Sequence, residues 1–432
     1  MASVTFIHAA DIHLARPFAG LLRSSPELGD LFRRAGYQAW DRMVNAAMER
    51  RVDFVVLAGD VFDGPNPPVR GRVSFRAGVE ALHEAGIPVF LALGNHDPLR
   101  SFPDALRSIP GLHLFGPDPT LPGSGTVEVS QGIVISGASF ETAVVTENLV
   151  RRFRRDGGID LAIGVVHANI TGSIGHKDYA PASLGDLLAV GMDVWCLGHV
   201  HTAQVLRSDP LIAYSGATQG ANPNEVGPKG CHVVSVSDRG DASLEFLPLA
   251  AVRWEKVPLD VTAVQSIDEL REVAEETFSQ LAFEDSTQAV VARMALTGAA
   301  SDSLREQLRT EEDFLDLLSE RLATLPVPVF PGSLEDTARA TAGLDSSATE
   351  KGFLADFIQI CHDAAENPES VTDLLTEIRD DLARRVGGKH AEQAADLLGA
   401  MNGVSRLPDL VQDAADLVIA KFFELSSPRS TR

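Results

Sequence analysis

Residues 54–63 read Phe54-Val55-Val56-Leu57-Ala58-Gly59-Asp60-Val61-Phe62-Asp63. Five apolar residues, rich in β-branched side chains, have the length and composition of a strand buried on both faces. The run stops at a glycine followed by a carboxylate, and a second carboxylate stands three residues further on. Outward from this stretch the same arrangement recurs four times. Val4–His8 precedes Asp11-Ile12-His13, and Pro88–Ala92 precedes Gly94-Asn95-His96-Asp97. Leu161–Val166 runs directly into His167, and Val194–Leu197 into Gly198-His199-Val200-His201. Five strand-like runs therefore end in Asp, Asn or His instead of ordinary turn residues. In open α/β sheets the crevice beyond the carboxyl ends of the strands is where ligands bind, so all five motifs can meet in one place.

The segments between these runs carry helical periodicity. Tyr37, Trp40, Val44 and Met48 recur at helical spacing between the first and second strands; Phe75, Val79 and Leu82 do so between the second and third. Strand–helix–strand units imply parallel strands joined by crossover helices. Leu112–Phe115, Thr126–Ser130 and Ile133–Ser136 are close together and read as hairpin strands, and Val233–Val236 with Leu244–Leu247 as a closing antiparallel pair. The expectation is a mixed-sheet α/β domain over residues 1–250. A second, small α/β unit is expected over 251–332: a helix at Ile267–Leu281, a strand at Ala289–Leu296 and a helix at Leu304–Leu322, broken by Pro326, Pro328 and Pro331. Residues 333–432 read as a polar linker (Asp336–Lys351), a helical stretch (Phe353–Leu425) and a tail, SSPRSTR, without expected order.

Bulk composition narrows the class. At 432 residues and 44% hydrophobic the chain can build two or three cored domains. No run approaches the roughly 18 apolar residues of a membrane helix, and the opening stretch has no signal-peptide pattern. Cys196, Cys231 and Cys361 are far apart, which argues against a disulfide framework or a thiolate metal site and fits a reducing cytoplasm. The net charge of −23 is uneven: residues 1–260 carry 22 basic and 28 acidic side chains, residues 261–432 carry 15 and 32. The acidic C-terminal part is therefore not the part expected to follow a phosphate backbone.

The motif residues suit two metal ions. A carboxylate can bridge two cations, and neutral imidazoles and an amide oxygen can complete the shells. Such a mixed N/O set without thiolate suits Mn, Fe, Zn or Co better than Ca. Two ions roughly 3.5–4 Å apart can clamp a phosphoryl group during in-line displacement. Cations for a substrate backbone could come from Arg70, Arg72 and Arg76 after the GDxxD loop, or from Arg151, Arg152, Arg154 and Arg155; both groups could equally be solvated helix faces. No GxxxxGK[ST] occurs, so the chain has no P-loop of its own.

The set DxH, GDxxD, GNHD, His and GHxH resembles the calcineurin-like metallophosphoesterase superfamily. FIHAADIHLARPF, GDVFD, GNHDP, VVHAN, Tyr179-Ala180-Pro181, DVWCLGHVH, and Ser215–Gly220 followed by Glu225 and Lys229-Gly230-Cys231 resemble the SbcD-type DNA repair exonucleases, in their YhaO-like branch. The stretch ARMALTG near residue 295 resembles that branch's capping domain. The resemblance implies a β-sandwich flanked by helices, with a small α/β capping domain and a helical C-terminal segment. It implies one metal held by Asp11, His13, Asp60 and His201, and another by Asp60, Asn95, His167 and His199, with Asp60 bridging. The metals implied are two divalent ions, Mn2+ first, with Fe, Zn, Co or Mg as alternatives. It implies that His96 stands beside the scissile phosphate, its ring oriented by Asp97; Asp63, Arg70 and Gln219 are the candidate substrate-binding residues. Asp63 replaces a histidine common in archaeal and eukaryotic relatives; Ala217 and Ala221 stand where branch members carry more polar residues.

The expected function is a metal-dependent DNA exonuclease or endonuclease, homodimeric through N-terminal helices. It would work with a separate SMC-like ATPase, for which the acidic C-terminal region is a candidate docking segment. Two alternatives carry different predictions: a small-molecule phosphodiesterase, and a non-catalytic scaffold for the ATPase. The full motif set, His96 included, speaks against the scaffold.

Overall fold

In a computed structural model of the chain, residues 3–16, 26–170, 179–283, 285–310 and 314–340 are described. The expected linker after residue 340, the C-terminal helices and the tail lie outside them. Two compact units are found. One comprises Met1–Val257, Glu275–Met294 and Leu315–Leu334; the other comprises Pro258–Ala274, Ala295–Phe314 and the described residues from Glu335 onward.

The first unit holds two six-stranded sheets. The first sheet has the order β12-β11-β1-β2-β3-β4, with β1 Val4–Ala9, β2 Phe54–Ala58, β3 Val89–Ala92, β4 Leu112–Leu114, β11 Gly230–Val236 and β12 Ala242–Pro248. β1 to β4 are parallel, and β11 closes antiparallel on β1. The second has the order β5-β6-β7-β8-β10-β9, with β5 Thr126–Ser130, β6 Ile133–Ala138, β7 Leu161–His167, β8 Val194–Gly198, β9 Gln204–Ser208 and β10 Leu211–Tyr214. Its middle strands are parallel and its edges antiparallel.

Alternation along the strands explains the layering, because successive side chains leave a strand on opposite faces. Phe54, Val56, Ala58, Phe90, Ile163, Val165, Val194 and Cys196 form the core between the sheets. Val55, Leu57, Val89 and Leu91 face the other way. They pack under α1 (Pro26–Arg50) and α2 (Val69–Glu84), which contribute Tyr37, Trp40, Met43, Phe75, Val79 and Leu82. On the outer face of the second sheet, Val166, Trp195, Leu197, Ile212 and Tyr214 form a third cluster. Trp40 is fully buried and donates its indole N–H to Ser74 O at 3.1 Å. Truncating such a side chain costs about 3–5 kcal/mol. The sandwich flanked by helices agrees with the expectation.

Some elements differ from the sequence reading. Leu112–Leu114 is not part of the hairpin; it adds in parallel to β3, while β5 and β6 form the hairpin alone. A helix α3 (Asp104–Arg107) and the helix α4 (Leu184–Val190) were not anticipated. The latter carries a capping box between Ser183 and Asp186, a signal that S-x-x-D offered. Strands β9 and β10 follow the GHxH motif.

Beyond β12 run β13 (Val252–Asp260), α5 (Ile267–Ser279), β14 (Ala289–Thr297), β15 (Ala299–Ala300), α6 (Asp302–Thr310), α7 (Phe314–Leu322), β16 (Val329–Asp336) and β17 (Arg339–Ala340). Of the expected helix over Leu304–Leu322, α6 and α7 are helical, and residues 311–313 lie outside the described residues. The proline-broken region contains β16, in a sheet of order β13-β14-β16. Pro331 is tolerated there because β16 is an edge strand. No described helix is long and apolar enough to cross a membrane.

Candidate metal centre

Beyond their last paired residues, β1 and β2 continue side by side. Asp11 N–H donates to Gly59 O, His13 N–H to Asp60 O and Leu14 N–H to Val61 O, at 2.8–3.0 Å. The DxH and GDxxD loops are thus zipped together, and Asp11, His13, Asp60 and His199 are held at positive φ. Such backbone is costly for residues other than glycine and clusters at functional sites. Gly59 has φ +94°, and a Cβ there would strike the His167 ring; a Cβ on Gly94 would fall on Asp60 Oδ1. Both glycines let a backbone approach a candidate ligand closely.

Three overlapping groups form at these loops: Asp11, His13 and His201; His13, Asp63 and His96; Asp11, Asp60 and His167. The protons on the imidazoles decide what the groups can bind. His167 Nδ1 lies 3.0 Å from Ala58 O, and a carbonyl only accepts, so the ring proton is on Nδ1. Nε2 then offers a lone pair, 3.1 Å from Asn95 Oδ1 and 3.4 Å from Asp60 Oδ2. Three electron-pair donors face one another, an arrangement a cation relieves.

His201 repeats the logic. Its Nδ1 is 2.8 Å from Glu225 Oε1, which turns Nε2 toward His13 Nε2 at 3.3 Å and Asp11 Oδ1 at 3.6 Å; burial would lower the pKa of the ring, but Glu225 and Asp11 outweigh it and raise it. His13 Nδ1 in turn faces Asp63 Oδ1 at 3.2 Å. Asp11 uses Oδ2 to accept the His199 N–H at 3.0 Å, while its buried Oδ1 has no hydrogen-bond partner among the described residues. A buried carboxylate oxygen without a donor is costly unless a cation meets it. The residues therefore fit a pair of divalent cations. Carboxylate partners on ligand histidines fix tautomer and raise basicity, the arrangement usual at metal sites.

Asp60 faces imidazoles from two of the motifs and the backbone of a third. Oδ1 accepts the His96 N–H at 3.0 Å; Oδ2 lies 3.4 Å from His167 Nε2 and 3.9 Å from His13 Nε2. Burial alone would raise its pKa, but His167, His13 and His96 outweigh it and keep the carboxylate below its usual range. Asp63 is lowered in the same way, against its burial, by His13, Arg16 and His96. Glu225 is held at about 2, against burial, by His201, the Ala221 N–H and Arg16.

Asp11, His13, Asp60, Asn95, His167 and His201 are thus brought together. His199 is buried, its ring 5.2 Å from that of His167 and edge-on to Tyr179 at 5.8 Å. His96 is half-exposed, with Nδ1 3.2 Å from Asp63 O. Asp97 does not orient that ring. Its carboxylate accepts the N–H groups of Val61 (2.7 Å), Phe62 (3.2 Å) and Gly94 (3.0 Å), clasping the GDxxD loop to the GNHD loop. The residue facing the His96 ring is Asp63. Burial and the nearby Asp60 carboxylate raise Asp97 to about 7, against the Gly94 and Phe62 N–H groups and the His167 ring.

Two expected substrate contacts are engaged elsewhere. The guanidinium of Arg70 lies over the Tyr37 ring, 4.5 Å from its centroid. Gln219 is buried; its amide nitrogen donates to Gly220 O and Val252 O, and its oxygen accepts from Ala251 and Val252 N–H. The basic cluster is likewise occupied: Arg151 by Asp186, Arg152 by Glu147 and Arg155 by Asp193. Arg154 donates to the carbonyls of Arg151 and Phe153.

The sequence reading assigned no role to Glu225, Lys229 or Arg16. Lys229 is buried and donates to His201 O at 3.0 Å. Arg16 lies 3.5 Å from Asp63 Oδ1 and 3.6 Å from Glu225 Oε1. For Glu225 the available signal was a lone buried-type acid in a polar turn downstream of GHxH; for Arg16 it was only proximity to His13 in sequence.

The model of the calcineurin-like phosphoesterases matches residues 4–203, and that of the YhaO metallophosphoesterase middle domain matches residues 254–336. The metallophosphoesterase YhaO of Bacillus subtilis (strain 168) is 34% identical over 346 residues, 80% of this chain and 84% of the relative. The DNA double-strand break repair protein Mre11 of Thermoplasma acidophilum is 28% identical over 229 residues, 50% of this chain and 60% of that protein. The SbcD component of the SbcCD nuclease of Bacillus subtilis is 25% identical over 291 residues, 58% of this chain and 71% of that protein. With 34% identity to YhaO over 346 aligned residues, most of both chains, and His and Asp clusters suited to a metal at its strand ends, this chain belongs to the calcineurin-like metallophosphoesterases, in the YhaO-like branch.

Proposed function

We propose that this chain hydrolyses phosphodiester bonds in DNA, as an exonuclease or endonuclease, using two divalent metal ions, Mn2+ first among them. The carrying observation is the convergence of His167 Nε2, Asn95 Oδ1 and Asp60 Oδ2 beside His13 Nε2, His201 Nε2 and Asp11 Oδ1. DNA as substrate is supported by the similarity to Mre11 and to a component of a nuclease.

In this reading Asp11, His13, Asp60 and His201 hold one ion, and Asp60, Asn95, His167 and His199 the other. When bound, the ions supply Lewis-acid activation of water and neutralise charge at phosphorus. The chain's own contribution is positioning and proton transfer. Ala58 O and Glu225 hold a ring proton of His167 and of His201 on Nδ1, so Nε2 is the atom each ring turns toward the ions. His96 is the acid near the leaving oxygen: Nδ1 lies 3.2 Å from Asp63 O, which only accepts, so that proton is held on Nδ1 and Nε2 is the atom left to carry the transferred proton. Asp63 also lines the substrate side. We assign residues 1–250 to catalysis, 251–332 to capping and 333–432 to docking of an SMC-like ATPase, and expect a cytoplasmic homodimer.

The test is incubation of purified full-length protein with Mn2+ and end-labelled single- and double-stranded DNA, alongside bis-p-nitrophenyl phosphate. Shortening or nicking of the labelled strand is expected. Cleavage of the small ester with intact DNA, both with and without the ATPase, would exclude the nuclease reading and favour a small-molecule phosphodiesterase.

A further inference from the structure

We propose that Arg16 is a substrate-binding residue that grips a phosphate oxygen at the open rim of the metal centre. The inference deepens the phosphoesterase reading and rests on it.

Arg16 N–H donates to His13 O at 3.0 Å, and Ala15 between them has φ +70°. This tight turn keeps Arg16 close to His13, and its side chain reaches the carboxylates that face the His13 and His201 rings. There it faces Asp63 Oδ1 and Glu225 Oε1 at 3.5 and 3.6 Å. Both distances exceed the roughly 2.7–2.9 Å of a charge-assisted hydrogen bond. Each oxygen also has a nearer partner, His13 Nδ1 for Asp63 and His201 Nδ1 for Glu225. The guanidinium is therefore aimed by two carboxylates without being saturated by them. Its five N–H donors make no hydrogen bond of normal length among the described residues, and its side chain is 28% exposed. A planar fork with donors to spare suits bidentate contact with a phosphate.

The charge balance points the same way. Ions held by Asp11 and Asp60 would offset those two carboxylates, but Asp63 and Glu225 act through the histidines and would still repel an incoming phosphodiester. Arg16 faces both. Lys229 is buried against the His201 carbonyl and is not available to a substrate, and Arg70 lies over Tyr37. A purely structural role is the competing explanation. Long ion pairs on a partly exposed side chain contribute little to stability, so that role predicts a loss of metal instead of a loss of phosphate affinity.

The test uses the full chain loaded with Mn2+, with inorganic phosphate as the probe. Calorimetry gives the phosphate Kd, mass spectrometry the metal content, and bis-p-nitrophenyl phosphate the kcat and KM. Arg16→Ala is expected to weaken phosphate binding by about tenfold or more and to raise KM more than it lowers kcat, with two ions retained. Arg16→Lys should fall between, because it keeps the charge without the fork. Arg16→Gln replaces the alanine variant if that one does not fold. An unchanged phosphate Kd overturns the proposal. So does equal loss of metal from the Ala and Lys variants, which would make Arg16 a positioning residue. If the wild type cleaves the small ester but not DNA, only the nuclease reading fails, and the phosphate affinities still decide the role of Arg16.

Discussion

The two halves of the centre are built differently. Around His167 everything is enclosed: the ring is fully buried, Asp60 nearly so, and the ring proton is fixed by a strand carbonyl. Around His13 and His201 the site opens. The His201 side chain is 23% exposed, Asp63 32% and His96 39%, and the ring protons are fixed by carboxylates drawn from loops. The enclosed half can hold an ion but offers little room for a substrate. The open half is where a phosphate can enter, and its supports are charged groups that influence what binds. In the proposed function, retention and reaction would be divided across Asp60, the residue proposed to bridge the two ions.

Substitutions can break or sharpen this division. The largest effect is expected from Asp60→Ala, which removes the shared carboxylate. Metal content should fall from two ions to one or none, and hydrolysis of bis-p-nitrophenyl phosphate should drop to background. Retention of two tight ions would remove the bridge. His96→Ala acts on the open half alone. It should keep both ions by mass spectrometry while kcat falls by about 10²–10⁴-fold, the usual contribution of a positioned acid. Glu225→Gln leaves the ligand set intact but weakens the hold on the His201 tautomer. Affinity for one of the two ions should fall by about 10–100-fold, with the other unchanged in a metal titration; equal weakening of both would make the halves interdependent. Arg70→Ala is the smallest. It loses a cation–π contact worth about 0.5–1 kcal/mol at an exposed site, seen in thermal melting, with kcat and KM within error.

The same division governs what the sequence could reveal. The enclosed half is made of residues at strand ends, where an apolar run followed by Asp, Asn or His stands out. That Asp11, His13, Asp60, Asn95, His167 and His201 stand close together was legible for that reason; their roles as ligands, and that of His199, remain part of the proposed function. The two sheets and their helices were legible from alternation and helical spacing. The open half depends on contacts that sequence spacing does not encode. Glu225 reaches His201 across 24 residues, with the β9–β10 hairpin between them. Arg16 meets Glu225 only once β1 and β11 have paired. Asp97 was misread because a carboxylate beside a histidine suggests an ion pair, whereas three backbone N–H groups compete for it more closely. Gln219 was misread in the same way, since its value to the fold lies in fixing the start of β13.

The central claim is that one carboxylate, Asp60, joins an enclosed cation site to an open one. Anomalous diffraction at the manganese edge from crystals grown with Mn2+ tests it most directly. The account predicts two peaks, one at His167 Nε2 and Asn95 Oδ1 and one at His13 and His201 Nε2, each within coordination distance of Asp60. A single peak, or two peaks that do not share Asp60, would contradict it.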